Sequence, residues 1–142
     1  MAADSGSAAI DHVGLAVADL EAAAAFYEWF LGAAPAHREE VASDGVRTIF
    51  FDLGPSSLEL LGSTRSDSSI ARFLEKRGEG LHHLAYLVSD IEAELASWRE
   101  RGAELIDEQP RPGARGRLIA FIHPKSAGGV LTEFCQLMDD WG

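Results

Sequence analysis

The chain holds a single cysteine, Cys135, in 142 residues, which excludes an internal disulfide and fits a reducing cytoplasm. That thiol sits in the apolar stretch 131–137, where a packed small side chain is expected rather than a nucleophile. Basic residues are also scarce: 12 Lys and Arg face 23 Asp and Glu, a net charge of −11. A surface so acidic argues against nucleic acid as a partner. No apolar run approaches the ~20 residues that span a bilayer, so no membrane partner is expected. Residues 1–7 lack the basic start and apolar stretch of a signal peptide, and residues 1–8 are expected to be a flexible tail. What remains is 46% hydrophobic and 25% charged, an ordinary globular balance in a length that suits one domain with its own core.

Within that domain the sequence repeats itself. Residues 10–17 align with 81–88 and set His12 on His83, an offset of 71 (83 − 12). Farther on, 58–61 align with 132–135 and set Glu59 on Glu133, an offset of 74 (133 − 59). Two copies of one supersecondary unit are implied, since a solenoid needs three or more.

Each copy has the same order of signals. In the first, the apolar strand 10–17 leads to Asp19, an N-cap for a helix over 20–31 that Gly32 stops. Ala22, Ala25, Phe26, Trp29 and Phe30 recur at helical spacing and are expected to form its buried stripe. Strands follow at 48–53 and 57–61 around the turn Gly54-Pro55. In the second copy a strand at 81–88, the cap Asp90, a helix at 91–101 and its stop Gly102 repeat the order, with strands at 118–122 and 129–137. A third strand after each helix is weakly written, near 36–40 and 104–107. A linking helix over 67–77 turns Ile70, Phe73 and Leu74 inward. The expected fold is therefore α+β, two βαβββ modules of about 9–64 and 80–138 in one domain of residues 9–139.

Strand alternation places His12, Gly14 and Ala16 on one face and Val13, Leu15 and Val17 on the other. His83 and Ala85 share a face in the same way. Glu59 points opposite to Leu58 and Leu60, and Glu133 opposite to Thr132 and Phe134; a carboxylate inside an apolar strand is costly unless paired, solvated or bound to metal. Two imidazoles and two carboxylates suit a borderline or hard divalent ion, and an octahedral one would keep two positions for a chelating substrate. Taken singly, these residues also read as hydrogen-bonded strand histidines and solvent-facing glutamates. His82 points away from His83 and reads as packing or as support behind the ligands; His37 reads as a solvated loop residue. His123 ends a strand where a ligand contact and a simple turn role are both open. Arg111, Arg115, Arg117 and Lys125 gather within fifteen positions, either to meet phosphates or as a solvated loop.

These segments, with Gly80-Leu81-His82-His83 and His123-Pro124-Lys125-Ser126 leading to Gly128-Gly129-Val130-Leu131-Thr132-Glu133, resemble the vicinal-oxygen-chelate superfamily and, within it, the methylmalonyl-CoA epimerase family. The resemblance runs from Ile10 to Gln136 and implies a metal-binding cup made from paired modules. It implies metal ligands at His12, Glu59, His83 and Glu133, with Glu133 as catalytic base and Thr48, His123, Lys125 and Arg115 as substrate contacts. It further implies one divalent ion per chain (Co2+ foremost, then Ni2+, Mn2+ or Zn2+), a CoA thioester substrate, a cytoplasmic homodimer and a place in propionate metabolism. The implied reaction interconverts (2R)- and (2S)-methylmalonyl-CoA by removing and returning the α-proton through a metal-stabilised enolate. Thr48 stands where some family members carry glutamate, which leaves the second base to another group such as Glu59 or a metal-bound water.

Three alternatives share the superfamily. A glyoxalase-type lyase uses a comparable ligand set and would prefer a glutathione hemithioacetal to a CoA thioester. A ring-cleaving dioxygenase needs only two histidines and one carboxylate, against which the fourth ligand Glu59 argues. A drug-sequestering module of the bleomycin-resistance kind needs no complete metal set, and fold alone does not choose among them.

Overall fold

A computed structural model of the chain describes residues 9–138; the expected tail at 1–8 and the domain's last residue, 139, lie outside them. The fold is α+β. Its elements run β1 (Ala9–Ala16), α1 (Leu20–Leu31), β2 (His37–Val41), β3 (Val46–Leu53), β4 (Ser56–Ser63), α2 (Ser69–Arg77), β5 (Gly80–Leu87), α3 (Ile91–Glu100), β6 (Arg111–Pro112), β7 (Leu118–Ile122) and β8 (Thr132–Gln136). They form two compact units, one spanning His12–His82, the other residues 83–138 with 9–11.

The first unit orders its strands β2-β3-β4-β1, antiparallel except for the parallel pair β1–β4. A parallel pair needs a crossover, which α1 and the β2–β3 strands supply. Asp19 caps α1 by accepting from the Ala22 N–H at 3.1 Å, and Gly32 ends it in the left-handed region at φ 69°. The second unit repeats the plan as β5-β8-β7-β6 around the parallel pair β5–β8. Asp90 caps α3 through the Ala93 N–H, again at 3.1 Å.

Two expectations about these elements change. The buried stripe of α1 is Leu20, Ala23, Ala24, Tyr27 and Leu31, which packs on Val17, Ile49, Phe51 and Leu60. Phe26, Trp29 and Phe30 instead face outward, 49%, 76% and 63% exposed. Ala22 and Ala25 of the expected stripe are exposed as well; both sets recur at helical spacing and each carries two alanines, so spacing alone does not choose between them. The third strand of the second unit is not 104–107, where Leu105 makes only an isolated bridge to Ile122. It is the two-residue β6, and Ile106 and Asp107 donate to the Phe121 carbonyl.

In each unit the helix covers one sheet face and leaves the histidine face open. In the first, Leu15, Leu58, Leu60, Ile49 and Phe51 meet α1, while His12, Glu59, Thr48 and Phe50 point the other way. One end of that second face is closed by α2, whose Ile70, Phe73 and Leu74 pack on Ala16, Val46 and Leu61. In the second, α3 buries Ile91 and Leu95 against Val88, Ala120, Ile122 and Phe134. Among the described residues, no helix is long and apolar enough to cross a membrane.

Candidate functional site

Each unit holds one histidine and one glutamate on its open face. In the first, β1 and β4 run side by side in a register that sets Gly14 opposite Glu59. Glycine leaves room above it, and the His12 ring from the same face closes on the carboxylate, Nε2 to Oε1 at 3.2 Å. The other oxygen, Oε2, accepts the Thr48 hydroxyl at 2.8 Å. Phe50, directly across from Glu59, stands edge-on to the His12 ring at 5.8 Å and 86°. His12 and Glu59 are each 5% exposed, and Thr48 has no exposed surface.

The second unit builds the same arrangement from other residues. Glu133 lies opposite Ala85 on one side and Phe121 on the other. His83 Nε2 stands 3.4 Å from Glu133 Oε1, and the His83 ring meets Phe121 edge-on at 5.4 Å and 86°. Both polar side chains are buried. Phe50 and Phe121 are separated by the same 71 positions as the histidines (121 − 50). That signal was present in the sequence, and reading the motifs only for polar residues misses it.

The donor chemistry fits a divalent cation. Bonds of about 2.1 Å from one ion put neighbouring donors roughly 3.0–3.4 Å apart, the span seen between nitrogen and oxygen in both pairs. A buried ionised carboxylate carries a desolvation cost that an ion beside it offsets. Nitrogen and oxygen donors select borderline and hard ions over thiolate-loving ones. Cys135, fully buried with Ala85 and Ile119, behaves as the packed small side chain its neighbours imply.

The remaining expected site residues sit farther out, in the loops around β7. His123 spends Nδ1 on the Lys125 N–H of its own turn, at 3.1 Å. Lys125 Nζ reaches Glu104 at 3.0 Å, and this hydrogen bond, helped by the charge of Lys125 and His123, holds the Glu104 carboxyl below its ordinary pKa against a smaller opposing push from desolvation. Arg115 adopts φ 58°, a left-handed conformation that costs a non-glycine residue about 1–2 kcal/mol. The rest of the basic run is divided among carboxylates: Arg111 pairs with Asp107 at 3.1 Å, and Arg117 with Asp11 at 3.2 Å. Asp107 also accepts the Phe121 N–H at 2.9 Å, and the Arg111 guanidinium lies 5.8 Å from the Phe121 ring centroid. His37 is not a loop residue. It opens β2 opposite Phe50, half-buried, and contacts Glu39 at 2.8 Å. His82 packs edge-on to Phe73 at 4.9 Å.

Comparison with known proteins agrees with this geometry. The profile of the Glyoxalase/Bleomycin resistance protein/Dioxygenase superfamily matches residues 11–121. The chain is 41% identical to the ethylmalonyl-CoA/methylmalonyl-CoA epimerase of Cereibacter sphaeroides, covering 90% of this chain and 97% of that one. It is 39% identical to the human mitochondrial methylmalonyl-CoA epimerase, over 89% of this chain and 73% of that one. The solved structure of a variant of the Streptomyces coelicolor methylmalonyl-CoA epimerase, in complex with 2-nitronate-propionyl-CoA, superposes with a TM-score of 0.89 at 37% identity, over 94% of this chain and 97% of that one. With two matching His/Glu pairs on the fold these enzymes share, the chain belongs to the methylmalonyl-CoA epimerase family of the glyoxalase/bleomycin resistance/dioxygenase superfamily.

Proposed function

We propose that this enzyme binds one divalent metal ion per chain through His12, Glu59, His83 and Glu133 and interconverts (2R)- and (2S)-methylmalonyl-CoA. The observation that carries the reading is the pair of buried His/Glu contacts, at 3.2 and 3.4 Å, built from equivalent strands of the two modules. The epimerase names of its relatives support the reaction, and the CoA ligand of the Streptomyces complex supports the substrate class. Two nitrogen and two carboxylate donors suit Co2+ foremost, with Ni2+, Mn2+ and Zn2+ as alternatives. In this reading residues 9–139 work as one domain that gathers the four ligands.

The proton to be moved lies between a thioester and a carboxylate, and its removal sends the C–H electron pair onto the thioester oxygen. A bound divalent ion supplies Lewis-acid stabilisation for that charge. Glu133 accepts the proton; when ionised its carboxylate only accepts hydrogen bonds, and its burial keeps bulk water from competing. Return of the proton to the opposite face inverts C2. Thr48, with no exposed surface and its hydroxyl engaged on Glu59, leaves that step to another group. His123, Lys125 and Arg115, on loops flanking β7, are assigned to the CoA portion; Lys125 then exchanges Glu104 for phosphate. We further assign the enzyme to the cytoplasm and to a homodimer. The exposed aromatic cluster of Phe26, Trp29 and Phe30 supports self-association, because outward-facing apolar patches mark interfaces.

The test is incubation with methylmalonyl-CoA in D2O, with and without chelator, following deuterium at C2 and the ratio of epimers. Exchange that stops with chelator and resumes with added Co2+ is expected. Undiminished exchange in metal-free enzyme would refute the metal-dependent reading.

A further inference from the structure

The two His/Glu pairs differ in one side chain near the carboxylates that bears on how they are held. Thr48 lies two residues before Phe50 on β3, and the same offset of 71 (48 + 71) leads to Ile119, two residues before Phe121 on β7. The hydroxyl that engages Glu59 therefore has no counterpart at the equivalent position beside Glu133.

The Thr48 side chain is well suited to a fixed role. It is fully buried, its χ1 is restricted by the branch at Cβ, and its strand is held between β2 and β4. An ionised carboxylate has no proton to give, so the hydroxyl is the donor and Glu59 Oε2 the acceptor at 2.8 Å. A hydrogen bond to a charged acceptor is stronger than a neutral one, and here it acts away from solvent. With Oε2 engaged by Thr48, Oε1 is the oxygen that faces His12 Nε2, 3.2 Å away.

Resting on the metal-dependent reading above, we infer that Thr48 is a positioning residue for the metal site: it holds Glu59 as a ligand through one oxygen, Oε1. Its hydroxyl serves Glu59 and not the substrate. Glu59, held by Thr48, is a fixed ligand. Outer-shell partners of this kind typically change metal affinity by about 10–100-fold when removed.

The experiment compares wild type, Thr48→Val and Thr48→Ser by calorimetric titration with Co2+ and by the d–d absorption of the Co2+-loaded proteins. Valine keeps the shape and removes the donor; serine keeps the donor. The expected result is a loss of Co2+ affinity of about tenfold or more in T48V with an altered d–d envelope, and near-wild-type affinity and spectrum in T48S. Core packing alone would not produce rescue by serine, which has less volume than valine. T48V that binds Co2+ within about threefold of wild type with the same spectrum overturns the positioning role and leaves the metal reading intact. Wild type that binds no stoichiometric Co2+ removes the metal reading and this role together. Should T48V fail to fold, Thr48→Ala takes its place, with the same outcomes.

Discussion

Replacing Glu133 with glutamine removes a charge and a base without changing volume, and the structure says what should follow. The side chain is 4% exposed on β8, with Oε1 3.4 Å from His83 Nε2. Loss of a general base typically slows proton transfer by 10²–10⁴, about 2.7–5.4 kcal/mol at roughly 1.36 kcal/mol per factor of ten. The same change removes an anionic ligand, so the assay must run at saturating Co2+ to separate affinity from chemistry. Stability should move the other way. In metal-free protein the amide relieves the burial of a carboxylate, so E133Q should unfold no more easily than wild type, whereas added Co2+ should stabilise it less. The measurement is the rate of deuterium entry at C2, starting from each epimer separately, beside thermal unfolding with and without ion. Exchange within about threefold of wild type from both epimers, well below the smallest effect of a lost base, would refute the role of Glu133.

Two further predictions concern packing and a surface pair. Phe51→Ala, at a position with no exposed surface in the α1 core, should cost about 3–5 kcal/mol, whereas Phe30→Ala on the outward face should cost the protomer no more than about 0.5 kcal/mol when read at concentrations too low for self-association. Urea denaturation of both variants checks this, and the reverse ranking would restore the aromatic stripe as the buried one. Glu104, whose pKa is lowered chiefly by its hydrogen bond from Lys125, contributes stability above its ordinary pKa that disappears as pH falls through the lowered value. Lys125→Met should return the Glu104 carboxyl toward its usual titration in carbon-detected NMR, and an unchanged curve would contradict the pairing.

Much of the fold was legible because local and global signals agree. The span of α1, both aspartate caps and the left-handed Gly32 follow from short-range chemistry, and the structure places each where the sequence puts it. The histidine face followed from period-two alternation alone. What was not legible depended on choices between equals. In α1 the stripe through Phe26 and Phe30 and the stripe through Ala24 and Tyr27 are both apolar at helical spacing, and only closeness to the sheet decides between them. In the second module the chain between α3 and β7 pairs mostly through backbone atoms, such as Asp107 with Phe121, which leave no mark on side-chain pattern. The Thr48 to Glu59 contact joins strands whose register no sequence period specifies, so a hydroxyl eleven residues away looked like a missing base rather than a carboxylate's anchor.

Counting the metal is the most direct trial of the central claim. Protein purified without chelator, then dialysed and analysed by plasma mass spectrometry, should carry about one divalent ion per chain, and His12→Ala and His83→Ala should each empty the site although the two residues stand on different modules. Retention of a full equivalent of metal when both histidines are replaced would contradict the account.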